Sequence, residues 1–189
     1  MAAPEPPVRC GHLYASADHA AYGRGMEIRD ATGDDWPAIW PFFRDIVADG
    51  ETYAYPPDLT SDDARALWLE PSPGRAVVVV DDAPVGAVLG TAKMGPNRPG
   101  RGSHVATASF MVSPAARGRG VGRALGTHAV EWAREAGFRA MQFNAVVDTN
   151  LAAVQLWRSL GFVTVGVVPE AFDSRTHGLV GLHVMHRLL

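Results

Sequence analysis

The chain has little cysteine, no paired metal ligands and no long apolar run, and each shortage excludes a class of protein. A single cysteine, Cys10, among 189 residues allows no intrachain disulfide and no cysteine-based zinc site. His183 and His186 stand three apart in a strand pattern, so they face opposite sides and cannot share a metal. No apolar run reaches membrane-spanning length, and the N-terminus lacks the apolar core of a signal peptide. We therefore expect a cytoplasmic protein with no metal and no membrane partner.

The charge balance argues against nucleic acid as a partner. The formal net charge is -3, from 17 basic and 20 acidic residues, whereas nucleic-acid-binding domains are usually strongly basic. Arginines still cluster locally between residues 98 and 123. That cluster is either a solvated basic loop or a site for a polyanionic ligand.

The chain divides into a tail and one domain. Residues 1–25 are rich in Ala, Pro, Gly and His without periodicity, which indicates a loosely ordered tail. Residues 26–189 are long enough for one domain with a sizeable core. Met26 stands directly before the first predicted strand, and the sequence leaves open whether translation starts at Met1 or Met26.

Hydrophobic patterns predict the element order β-α-α-β-β-β-α-β-α-β-β, an α/β arrangement. Two helices are predicted to start near residues 36 and 61, the second ending near residue 70, and two more to start near residues 121 and 150. The predicted strands are 27–32, 76–80, 85–94, 106–112, 140–147, 163–168 and 182–188.

A strand, a glycine-rich turn and a helix start follow one another between residues 106 and 125. The strand ends before Pro114, the turn holds Gly118, Gly120 and Gly122, and a helical pattern begins at Val121. Glycine lets a backbone approach a ligand, and the free N–H groups of a helix start point at negative charge. Three arginines add positive charge: Arg117, Arg119 and Arg123. The stretch predicts a diphosphate site, unless it is a basic turn that binds nothing.

Two common phosphate motifs do not fit this stretch. The dinucleotide fingerprint G-x-G-x-x-G fails because Arg123 follows Gly120-Val121-Gly122, and the Gly-Lys-Ser/Thr of a Walker A loop is absent. The pattern Arg-x-x-Gly-x-Gly, over residues 117–122, instead resembles the acyl-coenzyme A loop of the GNAT N-acyltransferase superfamily. The resemblance implies that the loop from Arg117 to Arg123 binds the pyrophosphate of acetyl-coenzyme A.

A second stretch, residues 150–162, reads Asn-x-x-Ala-x-x-Leu-Trp-x-x-x-Gly-Phe. Asn150 suits a helix N-cap and Gly161 suits a left-handed residue at the C-terminus, so the pattern alone predicts a short amphipathic helix. The stretch also resembles the second signature of the same superfamily, whose helix lies beside the pantetheine arm. This resemblance implies that Asn150, Ala153 and Trp157 contact the cofactor.

The resemblance implies a GNAT fold, with a mixed central sheet of six to seven strands, flanking helices, and splayed strands 4 and 5. It also implies acetyl transfer from acetyl-coenzyme A to an amine, with the backbone of Phe110, Met111 and Val112 holding the pantetheine and acetyl carbonyl. The side chains of these residues suit an apolar core. Trp157 stands where the family commonly has a tyrosine acid. Indole is a donor only, so another group or water must protonate the thiolate.

Two asparagines are the candidate catalytic residues. Asn144 lies in an apolar strand, as either a structurally satisfied buried amide or a contact to substrate or oxyanion. The segments around Asn144 and Asn150, with His104, resemble a fungal branch of the superfamily that acetylates azetidine-2-carboxylate and related proline analogues. In that branch the asparagines that match Asn144 and Asn150 are the functional residues. The branch has a third asparagine, and Thr107 stands at its position in this chain. His104 and Thr107 are therefore candidate substrate-binding residues. His104 is either a base or merely a cap of the loop before its strand.

The loop after the first helix supplies the candidate acceptor wall, with Glu51, Tyr53 and Tyr55. Solvation of Glu51 and ordinary packing of the tyrosines are the alternatives. The main prediction is an acetyltransferase for a small-molecule amine, such as an amino acid or an analogue. A protein or peptide N-acetyltransferase and a catalytically silent coenzyme A-binding module are the alternatives. The family resemblance also implies a homodimer.

Overall fold

The structure, a computed structural model, describes residues 25–69, 76–82 and 86–189. The predicted tail lies outside these residues apart from Gly25. The strands are β1 (Met26–Asp30), β2 (Ala76–Asp82), β3 (Ala87–Pro96), β4 (Val105–Val112), β5 (Ala140–Val147), β6 (Val163–Ser174) and β7 (Gly178–Leu188). The helices are α1 (Trp36–Asp49), α2 (Ser61–Leu69), α3 (Val121–Glu135) and α4 (Leu151–Ser159).

All seven strands form one mixed sheet in the order β1-β2-β3-β4-β5-β7-β6. Neighbouring strands are antiparallel except β4 and β5, which run parallel. Helices α3 and α4 pack on one face of the sheet, while α1 and α2 pack on the other. The α/β prediction and the GNAT-type mixed sheet with flanking helices are confirmed.

The parallel pair β4–β5 is joined at one end only. Its register has two pairs, Val105 with Ala140 and Ala106 with Met141. Beyond them β4 stays on β3 and β5 stays on β7, so the C-terminal halves of β4 and β5 separate. The predicted splay is therefore confirmed, and it leaves a gap in the middle of the sheet.

Helix α4 is held close to α3 by a glycine. Gly126 is buried in α3, and a Cβ atom there would lie 2.7 Å from Leu160 Cδ1 and 2.8 Å from Trp157 Cζ3. Real Cβ atoms essentially never approach so closely. Glycine at 126 thus allows α4 to come this near to α3.

The last two strands extend further than the sequence patterns predicted. The predictions were 163–168 and 182–188, whereas β6 continues to Ser174 and β7 begins at Gly178. Register shifts after Thr164 and Val168 interrupt the alternation of side chains, and Glu170 adopts a positive φ of 50°. Because bulges break the period of two, pattern reading missed this extension.

Candidate active site

A cavity of about 990 Å³ opens where β4 and β5 separate. Its walls come from the loop after α1, the C-terminal half of β4, the start of α3, β5, α4 and the β6–β7 hairpin. Most of the predicted site residues line it: Glu51, Tyr53, Tyr55, Phe110, Met111, Val112, Arg117, Gly122, Asn144, Asn150, Ala153 and Trp157. The fold therefore gathers residues that are more than a hundred positions apart, such as Glu51 and Trp157, into one space.

The peptide groups of β4 alternate between β3 and the cavity. Ser113 N, just past the strand, donates to Leu89 O of the β3 side at 2.9 Å. In an antiparallel pair every second residue bonds to the partner strand, so Phe110 and Val112 turn their N–H and C=O groups away from β3. With β5 displaced, those two peptides face the cavity. The expectation for Met111 needs correcting, because its peptide groups turn to β3.

Tyr53 reaches across the cavity to one of these peptides. Its hydroxyl donates to Phe110 O at 2.7 Å and accepts from Phe110 N at 3.0 Å. Its ring stacks on Tyr55 with 5.5 Å between centroids and meets Trp68 edge-on. Burial, assisted by Tyr55, raises the pKa of Tyr53 well above its ordinary value, so the hydroxyl stays neutral.

The glycine-rich loop has the backbone geometry of an anion site. Gly118 and Gly120 have φ angles of 77° and 84°, in the left-handed region that favours glycine, and Gly120 caps α3. Arg117 and Gly122 line the cavity. Gly118, Arg119, Gly120 and Arg123 are exposed outside its lining, beside the positive end of a 15-residue helix. Val121 can contact a ligand only through its backbone, since its side chain is buried in the core.

The start of α4 faces the cavity. Asn150 Oδ1 accepts from Ala153 N at 3.1 Å, which is the predicted N-cap bond. Trp157 is 6% exposed, and its ring lies 4.7 Å from that of Phe110 and 4.8 Å from that of Phe143. The indole thus packs against Phe110 of β4 and Phe143 of β5 at the cavity wall.

Asn144 is exposed, which corrects the expectation of a buried amide. Its pairing with β7 is interrupted by a register shift between Phe143 and Val146, and β4 has already diverged. Its Oδ1 accepts from Gln142 Nε2 at 2.7 Å, and its Nδ2 donates to Asn97 Oδ1 at 2.6 Å. Asn144 therefore sits in a short row of amides at the cavity wall, a row that sequence reading did not foresee because Asn97 is 47 positions away.

Glu51 connects the loop after α1 to the β6–β7 hairpin. It accepts from Ser174 Oγ at 2.7 Å and from Thr176 N at 3.0 Å. These hydrogen bonds hold the pKa of Glu51 below its ordinary value. Sequence reading missed the hairpin's contribution, including His177 at the cavity wall. The sequence signal that could have revealed the hairpin is Gly178, because glycine favours the positive φ, here 70°, that this turn requires.

Two of the predicted substrate-binding residues are not brought to the cavity. His104 is exposed before β4, where its carbonyl accepts from Arg139 N at 2.9 Å. Thr107 is paired with Gly95 of β3, and the β4 wall of the cavity begins only at Ala108. Both lie toward the end at which β4 and β5 are still joined, so neither reaches the opening.

Two further searches covered only the residues that the structure describes. Within them, no three His, Cys, Asp or Glu side chains are grouped in a way that could hold a metal ion. No helix in the same part of the chain is long and apolar enough to cross a membrane.

Comparison with known proteins identifies relatives in sequence. The model of the acetyltransferase (GNAT) family matches residues 36–162. N-acetyltransferase aca1 of Schizosaccharomyces pombe is 30% identical over 142 residues, which cover 68% of this chain and 67% of that protein. L-amino acid N-acyltransferase MnaT of Escherichia coli is 32% identical over 147 residues, which cover 77% of this chain and 84% of that protein.

Solved structures show the same architecture. A GCN5-related N-acetyltransferase from Kribbella flavida is 62% identical with a TM-score of 0.84, covering 87% of this chain and 98% of that one. A phosphinothricin acetyltransferase from Sinorhizobium meliloti, solved in complex with AcCoA, is 25% identical. Its TM-score is 0.77, and the match covers 87% of this chain and 89% of that one.

Proposed function

Because the chain belongs to the GNAT acetyltransferase family, we propose that it transfers acetyl from acetyl-coenzyme A to a small-molecule amine. The acceptor that we propose is an amino acid or an amino-acid analogue. The Sinorhizobium meliloti relative, solved in complex with AcCoA, supports the acetyl donor. The L-amino acid N-acyltransferase MnaT supports the acceptor class.

The observation that carries the acceptor size is the contact between Glu51 and the β6–β7 hairpin. Ser174 Oγ and Thr176 N both donate to the Glu51 carboxylate, and Arg175 N donates to Gly50 O at 3.2 Å. The loop after α1 and the hairpin therefore touch across one end of the cavity. A peptide lying across the sheet would need these segments apart, whereas a small amine needs no such groove.

The residues at the other end suit acetyl-coenzyme A. The N-terminus of α3, with Arg117 beside it, would hold the pyrophosphate, because helix N–H groups and guanidinium groups both favour phosphate oxygens. The cavity-facing peptide of Val112 would bond to the pantetheine arm, and the Phe110 peptide, which is hydrogen-bonded to the Tyr53 hydroxyl, would meet the thioester through that hydroxyl. When bound, acetyl-coenzyme A supplies the electrophilic carbonyl carbon that the amine attacks.

Asn144 and Asn150 would position the acceptor and the carbonyl with amide groups. Asn150 uses its Oδ1 for the helix cap, so its Nδ2 hydrogens are what it can offer a ligand. Asn144 has one Nδ2 hydrogen engaged with Asn97, which leaves the second for a ligand. Neither group is a base, so the acceptor reacts as its neutral amine. Another group at the cavity wall or water would protonate the leaving thiolate, since Trp157 cannot.

The test is release of free thiol from acetyl-coenzyme A, screened over amino acids, proline analogues and other small amines. Peptides are screened in parallel, with acetylation read by mass spectrometry. Turnover with an amino acid or analogue supports the proposal. Turnover only with peptides replaces the acceptor class. Binding of coenzyme A by calorimetry without any turnover indicates the catalytically silent module.

The edge strand β6 supports a homodimer as part of the same proposal. Val163, Val165 and Val167 are 63%, 68% and 47% exposed on this strand, which has no partner on its outer side within the described sheet. An exposed apolar edge favours pairing with another chain. Sedimentation analysis is expected to show a dimer, and Val165→Lys is expected to shift it toward monomer.

A further inference from the structure

Tyr53 places a hydroxyl against the cavity-facing peptide of Phe110, from a loop 57 residues away in sequence. The hydroxyl oxygen lies 3.0 Å from Phe110 N and 2.7 Å from Phe110 O. Beneath them, the rings of Phe110 and Trp157 are 4.7 Å apart. A neutral donor, a peptide N–H and an aromatic floor thus meet at one wall of the cavity.

We propose that the Tyr53 hydroxyl is an oxyanion donor of this enzyme. The inference rests on the proposed acetyl transfer. The Phe110 N–H donates to the hydroxyl oxygen at 3.0 Å, so it holds the oxygen in place and leaves the hydroxyl hydrogen free to turn toward a ligand. A thioester carbonyl oxygen placed beside the hydroxyl would accept from it.

Chemically, Tyr53 donates a hydrogen bond and keeps its proton. The amine nitrogen bonds to the carbonyl carbon, negative charge builds on the carbonyl oxygen, and the carbon–sulfur bond then breaks. The proton that the amine gives up ends on the coenzyme A sulfur through water or another group at the cavity wall, so no oxidant or other reactant is required. Rotation about the phenolic C–O bond turns the Tyr53 hydrogen from Phe110 O to the charged oxygen. A preorganised donor of this kind acts on the transition state more than on the ground state.

The competing explanation is structural. A β4 peptide that has lost its neighbouring strand needs a hydrogen-bond partner, and the Tyr53 hydroxyl supplies one. Both explanations predict that removal of the hydroxyl lowers stability. Only the oxyanion role predicts that it also changes how the protein distinguishes a thioester from a thiol.

The experiment compares Tyr53→Phe with Thr91→Val. Tyr53→Phe removes only the hydroxyl and keeps the ring stacked on Tyr55. Thr91→Val removes another buried hydroxyl, which accepts from Trp68 Nε1 at 3.1 Å on β3, outside the cavity lining. The readouts are melting temperature, kcat, and the ratio of affinities for acetyl-coenzyme A and coenzyme A by calorimetry. The affinity ratio needs no turnover.

We expect Tyr53→Phe to lower kcat by about 10²–10³-fold, as removal of one oxyanion donor does, and to lower the affinity ratio. Thr91→Val is expected to lower the melting temperature while leaving kcat and the ratio near wild type. An unchanged ratio in Tyr53→Phe overturns the inference, as does a kcat loss no larger than that of Thr91→Val. Absence of turnover in the wild type would count against the proposed function alone, because the affinity ratio still decides the role of Tyr53.

Discussion

A methyl group added at Gly126 would test how tightly α4 is held against α3. Its Cβ would lie 2.7 Å from Leu160 Cδ1 and 2.8 Å from Trp157 Cζ3. The Leu160 terminus can move, but the Trp157 ring is 6% exposed and is packed among other aromatic rings. Alanine in a helix interior is favoured over glycine by about 0.8–1.0 kcal/mol, whereas overpacking a core costs about 1–3 kcal/mol. The net expectation for Gly126→Ala is destabilisation of about 0–2 kcal/mol.

Gly122 provides the matched control on the same helix. A Cβ there would lie 3.5 Å from Leu156 Cδ2 and 3.8 Å from Val112 Cγ2, which are ordinary contacts. Gly122→Ala is therefore expected to stabilise the protein by about 0.5–1 kcal/mol. The difference in stability between Gly126→Ala and Gly122→Ala therefore reports the steric crowding at residue 126, because both variants make the same chemical change in the same helix.

The assay is thermal unfolding of the two variants and the wild type without coenzyme A. For a domain of this size, about 1 kcal/mol shifts the melting temperature by about 2–4 °C. Gly126→Ala is thus expected to melt about 1–12 °C below Gly122→Ala. Equal melting temperatures would refute the packing argument, since they would mean that α4 moves aside at no cost.

Three further predictions concern the cap, the cofactor loop and acid stability. Asn150→Ala is expected to lose about 1 kcal/mol through the helix cap and to reduce turnover more than coenzyme A affinity. A loss of stability alone would leave Asn150 as a cap only. Arg117→Glu is expected to weaken coenzyme A binding about tenfold or more in calorimetry. The control Arg98→Glu changes an exposed arginine outside the cavity lining, and an equal effect in both would remove Arg117 from the phosphate site. Hydrogen bonding from Arg29, at 2.6 and 2.9 Å, lowers the pKa of Asp35 from 3.8, although burial opposes it. A lowered pKa in the folded state contributes stability above pH 3.8, and the contribution is lost as the pH falls through the folded value. Asp35→Asn is expected to cost about 1–3 kcal/mol in urea unfolding at pH 7 and to cost less at pH 3, which lies below 3.8, and a constant difference would contradict this.

Local patterns predicted the helices that frame the site. The start of α3 after a glycine turn follows from glycine's access to positive φ, found at Gly118 and Gly120. The Asn150 cap and the left-handed Gly161, with a φ of 83°, follow from the chemistry of helix ends. These features involve residues within a few positions of each other, which is why the sequence reveals them.

Features that depend on distant neighbours were not predictable in the same way. Asn144 is exposed because neither β4 nor β7 is paired with β5 at this residue. No property of the β5 sequence indicates that loss of pairing. The alternation that directs the Phe110 peptide to the cavity, and the Met111 peptide away from it, depends on the register between β4 and β3. Bulges in β6 hid the length of the hairpin and the position of His177.

By itself, the sequence determined the mixed α/β order, the glycine-rich loop between β4 and α3, the capped α4 helix and the family resemblance. Each depends on short-range periodicity, backbone preference or a contiguous motif. Tertiary structure alone decided the gap between β4 and β5, the Tyr53 contact with Phe110 and the Glu51 contact with the last hairpin. Those contacts join residues 57 and more than 120 positions apart. Their formation depends on which strands stay paired and which diverge, a choice made by the packing of the whole sheet.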